Sequence, residues 1–322
     1  MKKSIIKLVR QTPFGNKLYY KQIQLRGKLP VVDYTFPTLI SLEVASICNL
    51  TCIHCPSHNQ EQKVKQRKYG IMDFQLFCRA MDEIDQYGVR NIALHKDGEP
   101  LLHPDINLFL ERVKKNQNHR VYLTTNGHFL TSKIARQIIS AKIDRLNISI
   151  GASIPEIYKK VRGGDLAKVV EQVEQFLTLK KELNSPIIVS VQIINLVNLD
   201  FTDEIKKFKL FWQHKDVDIE VWDELSWGVK DLKKTVKFRY PCFSLWNSFN
   251  INSDGIVTAC CIDWNQQLVI GNINTNIITE IWRDEALQKL RQIHIDNKES
   301  NLPLCGKCNY WYWQPMLPKY YK

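Results

Sequence analysis

Cys48-Asn49-Leu50-Thr51-Cys52-Ile53-His54-Cys55 follows directly on an apolar run from Leu39 to Val44. The C-x3-C-x2-C spacing puts three thiols on one short loop. Three thiolates can hold three irons of a [4Fe–4S] cube and leave the fourth iron without a protein ligand. An open coordination position is what a metal site needs if it is to bind and transform something. The alternatives are a zinc loop or buried free thiols. Zinc sites favour paired C-x2-C units, and three cysteines in one loop are rarely all inert core.

Outward from this loop, short β-rich runs alternate with amphipathic helical runs over residues 37–224. Leu39–Val44 reads as the first strand. Asp73 then caps a helix with Phe74, Phe77, Ala80, Met81 and Ile84 on one face, and Gly88 closes it. Further strands are expected at Ile92–Leu94, Val121–Thr124, Leu146–Ile150, Ile187–Ile194 and Val217–Trp222. Helices are expected at about Ile106–Lys115 (capped by Asp105), Lys133–Ala141 and Leu166–Leu183. Six β/α units imply a parallel sheet with helices outside it, doubly wound or curved toward a barrel. Chemistry in such sheets gathers beyond the C-terminal strand ends. Cys48 follows the first strand, Gly98-Glu99-Pro100 the second, Thr125-Asn126-Gly127 the third and Gly151-Ala152-Ser153 the fourth, all on one rim.

C-x3-C-x2-C after a first strand, flanked by Glu43 and Pro56, resembles the radical S-adenosylmethionine (radical SAM) enzymes. The resemblance implies an α/β fold, a partial (β/α)6 TIM-like barrel, with Cys48, Cys52 and Cys55 holding the [4Fe–4S] cluster. It also implies S-adenosyl-L-methionine chelating the open iron and cleaved by one electron to a 5′-deoxyadenosyl radical, which abstracts hydrogen from substrate. A flavodoxin- or ferredoxin-type reductant follows. Asp97-Gly98-Glu99-Pro100 resembles the family's Gly-Gly-Glu-Pro loop, which makes Glu99 the acceptor for the cofactor ammonium; Asp97 stands where the family has glycine. Asn126, Ser149 and Arg162 match polar positions that contact the cofactor in related enzymes, and His54 stands where an aromatic flanks the adenine. Asn126-Gly127 also suits an ordinary turn, and Arg162 also suits a helix C-terminus.

Cys242, Cys260, Cys305 and Cys308 form a second set at C-x17-C-x44-C-x2-C. Ser248–Asn252 and Ile256–Ala259 flank Ser253-Asp254-Gly255 and read as a β-hairpin, which places Cys242 and Cys260 near one end. Four thiolates hold zinc or an Fe–S cluster equally well. The layout resembles the SPASM and twitch extensions of radical enzymes, and implies a small C-terminal α+β domain with one auxiliary [4Fe–4S] cluster. Cys261 is left over, either as a hydrogen-atom donor to a substrate radical or as a small apolar filler; Cys78 reads as a filler on its helix. Asp263 is a base, a substrate-binding group or a turn residue. Tyr310-Trp311-Tyr312-Trp313, with Tyr320 and Tyr321, suits packing over the cage or stacking on substrate.

At 322 residues, with 44% apolar and 24% charged residues, the chain has ample core for a domain and a half. The expected division is a basic arm (1–36), a core barrel (37–224) and the cluster domain (225–322). Residues 1–32 carry eight Lys or Arg and no Asp or Glu, leaving only +4 of the net +12 for the remainder. Such an arm suits a solvated terminus, with a membrane surface, a phosphorylated substrate or an acidic peptide as other partners; no nucleic-acid motif accompanies it. No apolar run approaches bilayer length, and nine clustered cysteines suit a reducing cytoplasm. The reaction expected from the resemblance is dehydrogenation or epimerisation of a sugar- or cyclitol-type secondary alcohol. A ribosomally made peptide is the alternative substrate, and a non-catalytic zinc or electron-transfer protein the remote one.

Overall fold

Period-two burial in the strands and period-3.6 burial in the helices generate the architecture. The computed structural model describes residues 35–59, 67–230, 232, 239 and 241–312. The basic arm up to residue 34, and Trp313, Tyr320 and Tyr321, lie outside the described residues. The chain divides into two units, one of Ser41–Glu224 with Ile251–Ile256, the other drawn from Met1–Ile40, Leu225–Asn250 and Val257–Lys322. Among the described residues no helix is long and apolar enough to cross a membrane.

In the larger unit the elements run β1 (Leu39–Leu42), α1 (Phe74–Asp85), β2 (Asn91–Ala93), α2 (Ile106–Val113), β3 (Arg120–Thr125), α3 (Ser132–Ser140), β4 (Arg145–Ser149), α4 (Pro155–Arg162), α5 (Leu166–Glu182), β5 (Ile188–Asn195), α6 (Thr202–Trp212) and β6 (Asp218–Asp223). The strands lie in the order β6-β5-β4-β3-β2-β1, and β2 to β6 pair in parallel. The sheet does not close, so the fold is a partial barrel. Val121, Leu123, Leu146, Ile148, Val191 and Ile193 are fully buried on one face. The alternate residues Thr124, Asn147, Ser149 and Gln192 are half-buried on the other. A polar inner face and an apolar outer face covered by helices are what a β/α sheet with an internal site requires.

The local signals explain most boundaries. Asp73 caps α1 by accepting from Leu76 N at 2.9 Å, and α1 buries Leu76, Phe77, Ala80, Met81 and Ile84. Phe77 and Phe109 meet with ring centroids 4.6 Å apart, joining α1 to α2. Asp105 precedes α2 but makes no side-chain cap; its own N–H donates to His103 Nδ1 at 3.1 Å. Two helices, α4 and α6, were not bounded in the sequence. Cys78 is half-exposed near Arg112, because its place on α1 is at the edge of the buried face.

The rim is tied together by charge. Arg67 forms ion pairs with Glu43, just after β1, and with Asp97 Oδ2 at 3.1 Å, in the loop after β2; Lys96 also pairs with Asp97. All four side chains are wholly shielded from solvent. Glu43 Oε1 also accepts from Asp97 N at 3.1 Å, and Glu43 Oε2 from Ser253 N at 3.1 Å. Two carboxylates and two cations cancel, and removing one cation leaves an uncompensated buried charge. Arg67→Met is therefore expected to cost about 3–5 kcal/mol in anaerobic urea unfolding, whereas Lys115→Met on the surface changes little; a parental midpoint for Arg67→Met would contradict this account of the rim.

Candidate active site

The cysteine loop is held by main chain as well as by side chains. Thr51 N donates to Arg162 O at 3.3 Å and Ile53 N to Val161 O at 3.1 Å, so the last carbonyls of α4 receive the loop. Gly163 ends α4 at φ +77°, and a Cβ there would meet Thr51 Oγ1 at 2.5 Å. Only glycine combines that backbone conformation with that approach. Leu50 is buried as an anchor, and Cys55 N closes a turn on Cys52 O at 3.0 Å.

The Glu99 loop is pressed against the same segment. Glu99 N donates to Ile47 O at 2.8 Å, and a Cβ on Gly98 would lie 2.7 Å from Ile47 O and 2.6 Å from Ser46 C. Glu99 is 2% exposed. Its Oε1 accepts from Thr125 Oγ1 at 2.7 Å and Leu101 N at 3.0 Å, and its Oε2 from Asn126 N at 2.6 Å. Burial raises its pKa, while these donors and Arg162 pull against the rise. Asn126 Nδ2 reaches Asn49 Oδ1 at 2.8 Å and lies 3.9 Å from Cys48 Sγ. Glu99, Asn126 and the cysteine loop are thus brought together.

Arg162 is buried, with Nη2 donating to Ser149 O at 2.6 Å and Nη1 3.5 Å from His54 Nε2. Ser149 contributes its carbonyl to this contact and is half-buried on the inner face. Burial pushes the Cys48 thiol up to about 11 and the Cys55 thiol up to about 12. Thiols so shielded are retained as thiolates by a bound cation, and three of them on one loop fit three irons of a cluster. Arg67 and Lys96 support this site and carry no signal of it in the sequence, and the roles of Thr125 and Gly163 are set by their tertiary partners. A lone arginine in a polar stretch carries no periodic signal, and a helix end that docks a loop through carbonyls leaves no side-chain signature.

The smaller unit contains α7 (Ser244–Asn247), β7 (Ser248–Ile251), β8 (Ile256–Thr258), β9 (Val269–Asn272), α8 (Ile278–Arg283), α9 (Glu285–Ile295) and α10 (Pro303–Gly306), the tip of the β7–β8 hairpin clustering with the larger unit. Asn252 N donates to Ile256 O at 2.9 Å, and Gly255 takes φ +86° in the turn. Cys242, Cys260, Cys305 and Cys308 line one small cavity, walled otherwise mainly by leucine and isoleucine. Cys308 N donates to Cys305 O at 3.1 Å, and Tyr310 N to Cys308 Sγ at 3.2 Å. Burial raises Cys242 and Cys308 and pushes Cys305 up to about 12; a hydrogen bond with Cys261, then burial, raises Cys260. All four thiols line this cavity. That donor set fits a cluster.

Cys261 is half-buried against the Cys242, Ile262, Leu304 and Trp311 group, where Trp311 packs. Asp263 is fully buried, its oxygens accepting from Gln267 N at 2.9 Å and Leu268 N at 2.7 Å. These two bonds brace the loop, which is the turn role among its three alternatives.

Comparison with known proteins agrees with this geometry. The Radical SAM superfamily profile matches residues 42–196, and that of SPASM, an iron-sulfur cluster-binding domain, matches residues 242–309. S-adenosyl-L-methionine-dependent 2-deoxy-scyllo-inosamine dehydrogenase of Niallia circulans is 23% identical over 278 residues, 84% of this chain and 92% of that protein. The crystal structure of BtrN in complex with AdoMet and 2-DOIA superposes with a TM-score of 0.58 at 22% identity, covering 84% of this chain and 92% of that one. Streptococcus suis SuiB bound to precursor peptide SuiA superposes with a TM-score of 0.63 at 13% identity, covering 85% and 69%. Those two likenesses concern the fold. With both profiles matched in order along one chain, the protein belongs to the radical SAM superfamily as an enzyme with a C-terminal SPASM iron–sulfur domain, and its cofactors are [4Fe–4S] clusters and S-adenosyl-L-methionine.

Proposed function

We propose that this enzyme dehydrogenates a carbinol carbon of a small sugar- or cyclitol-type substrate, with epimerisation of that carbon as the second outcome. One observation carries the reading. Thr124, Asn147 and Ser190 stand side by side on β3, β4 and β5, and Ser149, Gln192 and Glu220 side by side on β4, β5 and β6. These rows lie on the inner face of the sheet and are already linked. Asn147 Nδ2 donates to Gln192 Oε1 at 3.3 Å, Ser190 Oγ to Asn147 Oδ1 at 3.1 Å, and Trp222 Nε1 to Glu220 Oε2 at 2.9 Å. Amides, hydroxyls and a carboxylate in adjacent rows, with an indole beside them, form the donor and acceptor array that a polyhydroxylated ring matches. A polyhydroxylated ring can extend this network at its remaining donor and acceptor sites, which a substrate lacking hydroxyls cannot, and that is how such a floor selects.

Cys48, Cys52 and Cys55 would hold the first cluster, and Cys242, Cys260, Cys305 and Cys308 the second. Glu99, Asn126, Ser149, Arg162 and His54 would position S-adenosylmethionine. When bound, these groups supply a hydrogen-atom abstractor and a one-electron acceptor. Glu99 offers the buried carboxylate for an ammonium, and Arg162 the buried cation near the thiols. The relative named for a cyclitol dehydrogenase supports the substrate class. A flavodoxin- or ferredoxin-type reductant and a reducing cytoplasm suit a chain whose nine cysteines are all free thiols.

Reconstituted protein should hold about eight irons per chain and keep about half after Cys48, Cys52 and Cys55 are replaced by Ala; four in the parent would remove the second cluster. Incubated anaerobically with cyclitols or sugars deuterated at one carbinol carbon, it should pass deuterium into 5′-deoxyadenosine and form a ketone. Gln192→Ala should lower kcat/KM for that substrate by about 10²-fold. Deuterium arriving only from a labelled peptide would replace this reading with peptide modification. Cys261→Ala should leave ketone formation intact, and loss of an inverted product in that variant would make Cys261 the hydrogen donor.

A further inference from the structure

Three polar side chains reach the four-thiol cavity, Arg239, Ser244 and His294. Arg239 has evident employment. Its Nη1 donates to Cys305 O at 2.8 Å, its Nε lies 3.4 Å from Glu299 Oε1, and its guanidinium sits 5.2 Å over the Trp311 ring. The inward face of α9 carries Leu287, Arg291 and His294, so two polar residues occupy positions where helical spacing calls for apolar ones. Arg291 is explained by Nε donating to Leu245 O at 2.9 Å and by its place 4.5 Å over the Trp282 ring. His294 is 1% exposed, and its Nδ1 accepts the backbone N–H of Cys242 at 3.3 Å. With Nδ1 so assigned as acceptor, the neutral ring carries its proton on Nε2. The residue that braces the first cysteine of the cage therefore also brings a donor to the cavity.

We infer that His294 donates its Nε2–H to sulfur of the auxiliary cluster and thereby sets that cluster's reduction potential. The inference rests on the cage holding a [4Fe–4S] cluster. A cluster with four thiolates gains one further negative charge on reduction, inside walls made largely of leucine and isoleucine. A hydrogen bond to its sulfur offsets that charge more in the reduced state than in the oxidised state, and so raises the potential. His294 is a positioning residue for the electron, not a ligand.

The test is an EPR-monitored redox titration of the full-length reconstituted chain as parent, His294→Asn and His294→Gln. Asparagine keeps an acceptor for Cys242 N–H and loses the Nε2 donor; glutamine places an amide N–H near the Nε2 position. His294→Asn should retain the parent's iron and show a lower potential for the auxiliary cluster. His294→Gln should stay near the parent, and the signal that responds to added S-adenosylmethionine should titrate unchanged in both. An unmoved auxiliary potential in His294→Asn would overturn the inference. So would loss of half its iron, which would reduce His294 to a brace for Cys242. A parent with only four irons would remove the cluster reading beneath it, and iron analysis of the parent distinguishes that failure from the others.

Discussion

The ion pairs of Arg67 with Glu43 and Asp97 are the constraint on which the site depends. One guanidinium, wholly shielded from solvent, joins the segment leading into the cysteine loop to the loop that carries Glu99. Burying four charges is not a cheap source of stability, because the desolvation of each ion offsets much of the attraction. What it secures is arrangement: any slip of one loop against the other leaves a charge without its partner in low dielectric. The planar fork of arginine serves two carboxylates from one position, with donors held in a fixed geometry. Asp97, the departure from the family's glycine, is therefore a working member of the rim, and Gly98 is left as the residue that permits main chain to touch main chain.

Two loops fixed in this way leave little freedom to the groups between them. Glu99 is held by donors from Thr125 and Asn126, and Asn126 in turn reaches Asn49 within the cysteine loop. Behind the loop, α4 contributes its final carbonyls and its buried arginine, so the thiols are supported by the fourth β/α unit as well as the first two. Each support comes from the rim beyond the C-terminal strand ends, where a parallel sheet collects its chemistry.

Much of this was legible in the sequence because it rests on short-range rules. The cap at Asp73, the alternation in β3 to β5, the hairpin turn at Gly255 and the first cysteine loop are local patterns with local causes. The parts that were not legible depend on partners far apart in the chain. Arg67 acquires meaning only when Asp97, thirty residues on, is folded beside it. Asp105 has the residue type of a cap, yet its place before α2 is governed by His103. Asp263 has the residue type of a base, and the return of Gln267 and Leu268 to its oxygens adds a loop contact that spacing does not announce. Residue type bounds what a position can do, and the tertiary partner decides.

The second unit builds its core around sulfur. Ile262, Leu304 and Trp311 pack with three of the four cage thiols, so apolar burial and metal ligation are expected to stabilise the same small volume. If the first cluster has one iron free for S-adenosylmethionine, electron–nuclear double resonance will see the cofactor bound to it. With the reduced protein and S-adenosylmethionine labelled with nitrogen-15 at the amino group, a nitrogen-15 coupling to the cluster is expected, replaced by a nitrogen-14 coupling when the cofactor is unlabelled. A reduced cluster that shows no such coupling while the cofactor is bound, or a tetrahedral zinc in its place, would contradict the open iron site.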